Sequence, residues 1–318
     1  MTGNVNGIAR FEALGGGRSI WDAYAAELDA SDKTRTTYMR ALKQYALWAE
    51  GEGLDPLQAT REIVMRYKRH LAATKSAATV NCYLTAVRSF YQWTEARRIY
   101  PNVAAGIKGE KTSAHSAKEA LTKEQAKRLI AGVREDEAGL RDTAMLNLML
   151  RRGLRTVEVA RANVEDIRQE GGKAVLYVQG KGKADKGEFV VLGEECLAPL
   201  YAYLETRGPL DGKAPLFAAT GNRNRGGRMT TRSISRIAKG RMAECGMSSA
   251  RLTAHSLRHT AVTFALMGGA TVQEAQAMAR HASISTTMIY AHNLDRLNAG
   301  GERAADRFLD APTEVNTL

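Results

Sequence analysis

The sequence predicts a mainly helical protein with two domains, an all-α domain followed by an α+β domain that holds a small β-hairpin or sheet. Three observations predict this arrangement. Apolar residues recur at helical spacing along most of the chain, a polar stretch without periodicity divides it, and one pair of β-rich runs flanks a Gly/Lys turn. A length of 318 residues accommodates two domains of ordinary size.

The first domain is predicted at residues 18–108, after a flexible Gly-rich lead-in at residues 1–17. Ile20, Tyr24 and Leu28 follow one another at the i, i+4, i+8 spacing of a helix face. Three longer segments show helical patterns as well, namely SDKTRTTYMRALKQYALWAEGEG, ATREIVMRYKRHLAAT and SAATVNCYLTAVRSFYQWTEARR. We therefore expect a small all-α domain of four or more helices with outward Lys and Arg side chains.

The second domain is predicted at residues 121–300, between a linker at residues 109–120 and a C-terminal tail at residues 301–318. It begins with a helix for which Thr122 and Gln125 form a capping box. DTAMLNLMLRRGLR and TVEVARANVEDI predict two more helices, and KAVLYVQGKGKADKGEFVVL predicts the hairpin. The segments that follow are predicted to be helical.

The composition favours a soluble, cytoplasmic protein that binds a polyanion. Lys and Arg number 46 against 34 Asp and Glu, which gives a formal net charge of +12, and nucleic acid is the usual partner of such a surplus. The other interpretation is a basic protein without such a partner. The three cysteines are far apart and form no CxxC pair, so a disulfide framework or zinc ribbon is not expected. No apolar run has the length of a signal peptide or a membrane span.

A set of residues in the second domain has the chemistry needed to break a phosphodiester bond. Two arginines, Arg155 and Arg258, can neutralise the non-bridging oxygens as phosphorus becomes five-coordinate. A tyrosine such as Tyr290 can attack once cations favour its oxyanion, and a lysine can give a proton to the leaving sugar oxygen. Taken singly, these residues have ordinary explanations: a surface arginine, a solvated turn lysine, a core tyrosine.

In order and spacing these residues resemble the tyrosine recombinase (phage integrase) family, and in particular its simple two-domain, Xer-like members. The family pattern is Arg, Lys, His-x-x-Arg, His or Trp, and Tyr, and the flanking text GLRTVEVARANVEDI, TAHSLRHTAVTFAL and ARHASISTTMIYAH also matches. The catalytic positions that the resemblance implies are Arg155, Lys181, His255, Arg258, His281 and Tyr290.

The resemblance also assigns supporting features and shows two departures. Glu158 stands at an acidic position whose role is to brace Arg155. Arg280 replaces the glycine common before this histidine, so we expect the local turn to differ. The turn GKGKADKG is longer than in many members, which leaves open the choice of acid among three lysines, in the order of preference Lys181, Lys183 and Lys186.

The tyrosine helix and the histidines allow two further inferences. Ser283 is a plausible N-cap for the helix that presents Tyr290. A metal site built from His255, His259, His281 and His292 is disfavoured, because no acidic cluster accompanies these histidines and an arginine lies among them.

The stretch GNRNRGGRMTTRSISRIAKGR contains seven cations and no acidic residue. The favoured interpretation is contact with DNA phosphates, and the other is a solvated basic face. The predicted DNA-contact residues are Arg223, Arg225, Arg228, Arg232, Arg236, Lys239 and Arg241.

The resemblance implies a first domain that is a SAM-like core-binding domain and an enzyme that cuts and rejoins duplex DNA. The implied reaction passes through a 3′-phosphotyrosyl link and a Holliday junction, and it uses no metal, ATP or other cofactor. The implied assembly is a homo-tetramer on paired core sites, and the alternative is an assembly with a hetero-partner recombinase. A tail segment, RAADRFLDAP, is expected to dock on a neighbouring subunit or on its own domain. The chain is shorter than phage integrases with an arm-binding domain, so it resembles the simple recombinases, which are Xer-like, plasmid-borne or transposon-borne. A topoisomerase and a catalytically silent DNA-binding regulator are the alternatives.

Overall fold

The computed structural model describes residues 19–111, 119–132, 134–180, 182–183, 185–297 and 300–310. The chain divides into two compact units, residues 1–113 and 114–318. No helix in these ranges is long and apolar enough to cross a membrane. The mainly helical fold with one small sheet confirms the predicted fold class.

Among its described residues, 19–111, the first unit contains four α-helices and a short 3₁₀ turn at Pro56–Gln58. The helices are α1 (Ile20–Glu27), α2 (Asp32–Gly51), α3 (Arg61–Thr74) and α4 (Ala77–Ala96). Each begins after a Ser or Thr whose side chain accepts a hydrogen bond from a backbone N–H of the first turn. These caps fix the helix starts, because the first N–H groups of a helix have no partner within the helix.

Aromatic side chains fill the core of the first unit. Tyr45, Tyr91 and Phe90 are fully buried and in ring contact. The Tyr45 and Tyr91 hydroxyls lie 2.8 Å apart, and the Tyr91 hydroxyl donates to the Pro56 carbonyl at 2.7 Å. Both buried hydroxyls are therefore hydrogen-bonded, as burial of a polar group requires.

The end of the first unit reaches into the predicted linker. Glu110 pairs with Lys68 at 2.8 Å, and its backbone exchanges two hydrogen bonds with the Asn81 side chain. Residues 112–118, which make up most of the remaining linker, lie outside the described residues.

The second unit contains nine helices and three strands among its described residues. The helices are α5 (Lys123–Ala131), α6 (Glu137–Arg151), α7 (Thr156–Arg161), α8 (Glu194–Glu205), α9 (Thr231–Glu244), α10 (Ala254–Met267), α11 (Val272–Ala279), α12 (Ile284–Leu297) and α13 (Gly300–Leu309). Helix α6 is buried along most of its length and packs against α8 and α10, so it forms the centre of the unit.

The sheet is an antiparallel meander of β1 (Ile167–Glu170), β2 (Lys173–Val178) and β3 (Glu188–Val191), in that spatial order. The predicted hairpin corresponds to β2 and β3, with Val178 opposite Glu188. Strand β1 is not predicted by the sequence, because its residues IRQE are largely exposed and lack an apolar alternation. Gly171 and Gly172, both with positive φ, form the tight turn that pairs β1 with β2.

Candidate active site

Arg155 is the N-cap residue directly before α7 and follows Gly153 by two positions. Gly153 takes φ +61°, which glycine adopts without steric cost, and the backbone then enters α7 at Thr156. The Arg155 N–H donates to Glu158 Oε2 at 2.7 Å, and its Nη1 donates to Oε1 of the same carboxylate at 2.7 Å. Glu158, which the sequence assigned as a brace for Arg155, therefore holds both the backbone and the guanidinium of that residue.

Glu158 is fully buried and remains ionised. Burial alone raises the pKa of its carboxyl, but attraction to Arg280 and hydrogen bonds from Arg280 and the Arg155 backbone lower that pKa more, so it lies below its usual value. The carboxylate is thus a fixed negative charge between two guanidinium groups.

Arg258 lies on α10 with only 2% of its surface exposed. Its Nη1 donates to the Gly153 carbonyl at 2.6 Å, and its Nη2 donates to the Ala279 carbonyl. Burial, together with the charges of Arg155 and Arg280, lowers the pKa of Arg258 to about 9. The guanidinium is therefore still protonated at neutral pH.

The turn between α11 and α12 connects the two arginines. Arg155 Nη2 donates to the Arg280 carbonyl at 3.0 Å, one residue after the carbonyl that accepts from Arg258. Two adjacent carbonyls of one turn thus fix the directions of both guanidinium groups, although these come from α7 and α10.

Arg280 gives this turn an uncommon conformation. With φ +53° and ψ +50° it is left-handed, which costs an L-residue other than glycine roughly 1–2 kcal/mol. Its side chain is 3% exposed and pairs with Glu158 at 2.7 Å. The backbone of Arg280 takes the conformation that a glycine favours. What differs from a glycine is the side chain, which is buried in the site.

His281 follows this turn and is held by α12. Its Nδ1 lies 2.9 Å from Thr287 Oγ1, and Thr287 is fully buried. Burial, and then the positive charges of Arg258, Arg155, Arg280 and His255, lower the pKa of His281 to about 4. The imidazole is therefore neutral at pH 7.

Tyr290 lies on α12 between two imidazole rings. Its ring centroid is 4.5 Å from that of His259 and 6.2 Å from that of His281. Burial raises the pKa of the Tyr290 hydroxyl, and Arg258 opposes that rise. Ser283 directly precedes α12, and its Oγ accepts from the Ser285 N–H at 3.3 Å, in keeping with the predicted cap.

The remaining predicted site residues lie in two places. His255 is exposed on the first turn of α10, one helical turn before Arg258. Lys181 lies outside the described residues. Lys183 pairs with Glu188 at 3.0 Å, and Lys186 pairs with the buried Asp166 at 2.5 Å.

An open cavity of about 680 Å³ lies beside Arg155 and Arg280. Its lining includes Arg155, Arg280, His281 and Lys183. Of the two described lysines of the turn, Lys183 therefore borders the same space as the site, whereas Lys186 is tied to Asp166.

The predicted DNA-contact residues differ in what they contact. Arg232, Arg236 and Lys239 are exposed on α9 at i, i+4, i+7 spacing, and Arg223 is exposed in the preceding loop. Arg225 pairs with Glu137 at 3.3 Å, a partner that lies outside the stretch and was not foreseen from its composition.

Two further arginines of the stretch are bound to the protein itself. Arg228 donates to the Ala160 and Ala162 carbonyls and to Asn163 Oδ1. The Arg241 side chain is 14% exposed and contacts Glu244 and the Gly132 carbonyl.

Three residues contribute to the site although the sequence did not predict that role for them. They are His259, considered only as a metal ligand, Thr287, and the side chain of Arg280. Within the described ranges no group of three or more His, Cys, Asp or Glu residues is placed to hold a metal ion.

Comparison with protein families matches the two units separately. Residues 119–296 match the Phage integrase family, and residues 21–98 match the phage integrase N-terminal SAM-like domain. The chain belongs to the phage integrase family. This membership confirms the resemblance seen in the sequence and makes the chain a tyrosine-type recombinase.

Curated relatives of this phage integrase family member cover most of its length. Tyrosine recombinase XerC of Pelobacter propionicus is 33% identical over 283 residues, which is 85% of this chain and 88% of the relative. Tyrosine recombinase XerD of Xanthomonas axonopodis pv. citri is 31% identical over 281 residues, or 85% of this chain and 90% of the relative.

Solved structures of phage integrase family proteins share the fold. XerH recombinase bound to a palindromic difH substrate, in a post-cleavage complex, has a TM-score of 0.70 at 19% identity, over 84% of this chain and 80% of that one. A lambda integrase dimer bound to a COC′ core site has a TM-score of 0.64 at 17% identity, over 84% of this chain and 95% of that one. At these identities the likeness establishes the fold.

Proposed function

We propose that this protein is a site-specific DNA recombinase that cuts and rejoins duplex DNA through a 3′-phosphotyrosyl intermediate and a Holliday junction. The observation that carries the proposal is the convergence of Arg155, Arg258, His281 and Tyr290 around one turn, with both guanidinium groups held by its adjacent carbonyls. A phosphodiester needs this combination of paired cations and nucleophile.

In the proposed cleavage step, Tyr290 Oη loses its proton to water and bonds to phosphorus, and the bond from phosphorus to the 5′ oxygen breaks. The guanidinium groups of Arg155 and Arg258 neutralise the two non-bridging oxygens as negative charge develops on them. The 5′ hydroxyl of a partner strand then gives up its proton and attacks the phosphotyrosine. The bond from phosphorus to Tyr290 Oη breaks, the tyrosine regains a proton, and a phosphodiester is restored. The bond energy is conserved, so the cycle uses neither ATP nor metal.

We assign the general acid to Lys181, on the strength of its position in the family pattern. It would give a proton to the departing 5′ oxygen. Lys183 is the alternative, supported by its place in the lining of the 680 Å³ cavity. His255 and His281 would donate hydrogen bonds to the phosphate, and a neutral His281 can do so through one ring nitrogen.

We propose further that residues 18–108 bind the core site and that residues 121–300 perform catalysis. Four copies would assemble on two core sites, or two copies together with a hetero-partner. The reaction would take place in the bacterial cytoplasm. Helix α13 supports an assembly role for the tail, because Phe308 and Leu309 on it are 83% and 79% exposed. Such apolar exposure is typical of an interaction site.

The proposal is tested by trapping the covalent intermediate. A duplex nicked near the scissile phosphate loses a short strand after cleavage, so the adduct accumulates. We expect wild-type protein to form it and Tyr290→Phe to bind the same duplex equally well without forming any, since only the hydroxyl is removed. An adduct formed by Tyr290→Phe would refute the nucleophile assignment.

Experiments with the wild-type protein also distinguish a recombinase from a topoisomerase and from a catalytically silent DNA-binding protein. Mapping the DNA ends bound to the wild-type protein in cells gives the site. Relaxation of a single plasmid without joining of two sites would indicate a topoisomerase, and no adduct under any condition would indicate a silent DNA-binding protein.

A further inference from the structure

Arg280 occupies the left-handed conformation described above although glycine would adopt it without steric cost. Among the described residues, one other residue besides the glycines has positive φ, the exposed Arg98 at the end of α4. A residue kept in a strained conformation inside a site is evidence for a role of its side chain there.

The Arg280 side chain is fully engaged inside the protein. Nη2 donates to Glu158 Oε2 at 2.7 Å, Nε to Oε1 at 3.4 Å, and Nη1 to the Met278 carbonyl at 2.6 Å. Nη2 also lies 3.3 Å from the Gly153 carbonyl, which accepts from Arg258 as well. The guanidinium therefore contacts the partner of each phosphate-binding arginine.

The Glu158 carboxylate is therefore shared between Arg155 and Arg280. Its Oε1 receives Arg155 Nη1 and its Oε2 receives Arg280 Nη2. With Arg155 alone, the negative charge of this buried carboxylate would be offset entirely by the arginine that has to attract the phosphate. With Arg280 present, two guanidinium groups pair with this one carboxylate, and a surplus of positive charge remains for the phosphate.

We propose that Arg280 is a positioning residue for the reaction: it holds Glu158 and the turn at residues 279–281 so that Arg155 and Arg258 face one phosphate, and it offsets the carboxylate charge that would otherwise weaken Arg155. The inference rests on the proposed DNA cleavage and deepens it. Arg280 itself touches no reacting atom and acts through its neighbours.

The test compares Arg280→Gly with Arg98→Gly, because both changes remove an arginine and relieve a left-handed backbone. Cleavage of the nicked duplex is measured in a single turnover at saturating protein. We expect Arg280→Gly to be slower by about tenfold or more, as for loss of alignment in a site. Arg98→Gly should cleave at the wild-type rate, and Arg280→Lys, which keeps the charge, should recover part of the loss.

A second substrate separates positioning of charge from simple packing. A methylphosphonate at the scissile position lacks the negative charge of one non-bridging oxygen, so it needs less cationic stabilisation. The deficit of Arg280→Gly relative to wild type should therefore shrink on this substrate, whereas a packing defect would slow both substrates by the same factor.

Each outcome has a distinct meaning. If wild-type protein forms no adduct, the proposed function itself is wrong. If wild-type protein cleaves and Arg280→Gly matches it within about twofold, or shows an equal deficit on phosphate and methylphosphonate, the function stands and the role given to Arg280 is wrong.

Discussion

At the scale of single residues, the site is defined by charges that the fold keeps out of water. Glu158 and Arg258 are almost completely buried, and so is the side chain of Arg280. Burying an ion is costly unless it is paired and hydrogen-bonded, and each of these groups has such partners. The arrangement is therefore held together by groups of the protein itself.

The first residue-scale prediction concerns the general acid. A 5′-bridging phosphorothiolate gives a sulfur leaving group that needs no proton, so it should restore cleavage to a variant that lacks the acid. We expect rescue of Lys181→Ala and no rescue of Arg155→Ala, measured as single-turnover rates on the two substrates. Rescue confined to Lys183→Ala would transfer the assignment to Lys183, the lysine that lines the cavity.

The second residue-scale prediction concerns His281 and pH. Its pKa is about 4 in the folded protein and 6.5 when exposed, so the unfolded state binds its proton first as pH falls. The stabilisation from the neutral imidazole is complete above pH 6.5 and is lost between pH 6.5 and 4. The loss over the whole interval is on the order of 3 kcal/mol, since one pKa unit corresponds to about 1.4 kcal/mol.

The measurement is the free energy of unfolding in denaturant at pH 7 and pH 4.5. We expect it to decrease less for His281→Gln than for wild type over this interval. Equal decreases in the two proteins would show that His281 is not held neutral by the fold.

At the scale of elements, the sequence was most informative where one face of a segment is apolar. The capped helices of the first unit and the β2–β3 hairpin were all foreseen, because their periodicity and caps are local properties. Strand β1 was not foreseen, since its exposed IRQE residues show no alternation and its pairing depends on the Gly171–Gly172 turn. The burial of the Arg280 side chain depends on its left-handed backbone and on its contact with Glu158, 122 positions away along the chain. No local sequence pattern predicts such a contact.

The element-scale prediction concerns helix α9. Arg232, Arg236 and Lys239 lie exposed along one face, so they are free to follow a DNA backbone. Replacing all three with Ala should weaken binding to every duplex alike. It should also reduce the slope of log K against log salt by about 0.9 for each lost phosphate contact. The measurement is a salt titration on core-site and random duplexes.

Arg241→Met is the matched control on the same helix. Its guanidinium is occupied by Glu244 and Gly132, so the salt slope should stay the same. An unchanged slope in the triple variant would identify the face as solvated only, and a loss restricted to the core site would show that it reads bases. For the same reason Arg225 and Arg228, which are bound to protein groups, should contribute less than the sequence alone suggests.

At the scale of the whole molecule, the division into two units could be predicted from the composition of the chain and the spacing of its apolar residues. Each has its own apolar core, and the polar stretch between them was recognisable by its lack of periodicity. The six family positions can be recognised in the sequence from their order. The contacts that hold their side chains in place cannot. His259 on α10 packs against Tyr290 on α12, a contact between two helices that only the folded unit creates, and Thr287 on α12 contacts His281 in the turn before that helix.

The adjacent carbonyls of Ala279 and Arg280 have a consequence for how such a protein can change its target. They fix the arginines through main-chain atoms, and the proposed ligand of these arginines is a phosphate, a group that is identical at every nucleotide. On this proposal the centre is indifferent to base identity. A lineage can acquire a new target by altering other surfaces, while this turn and its arginines are inherited intact.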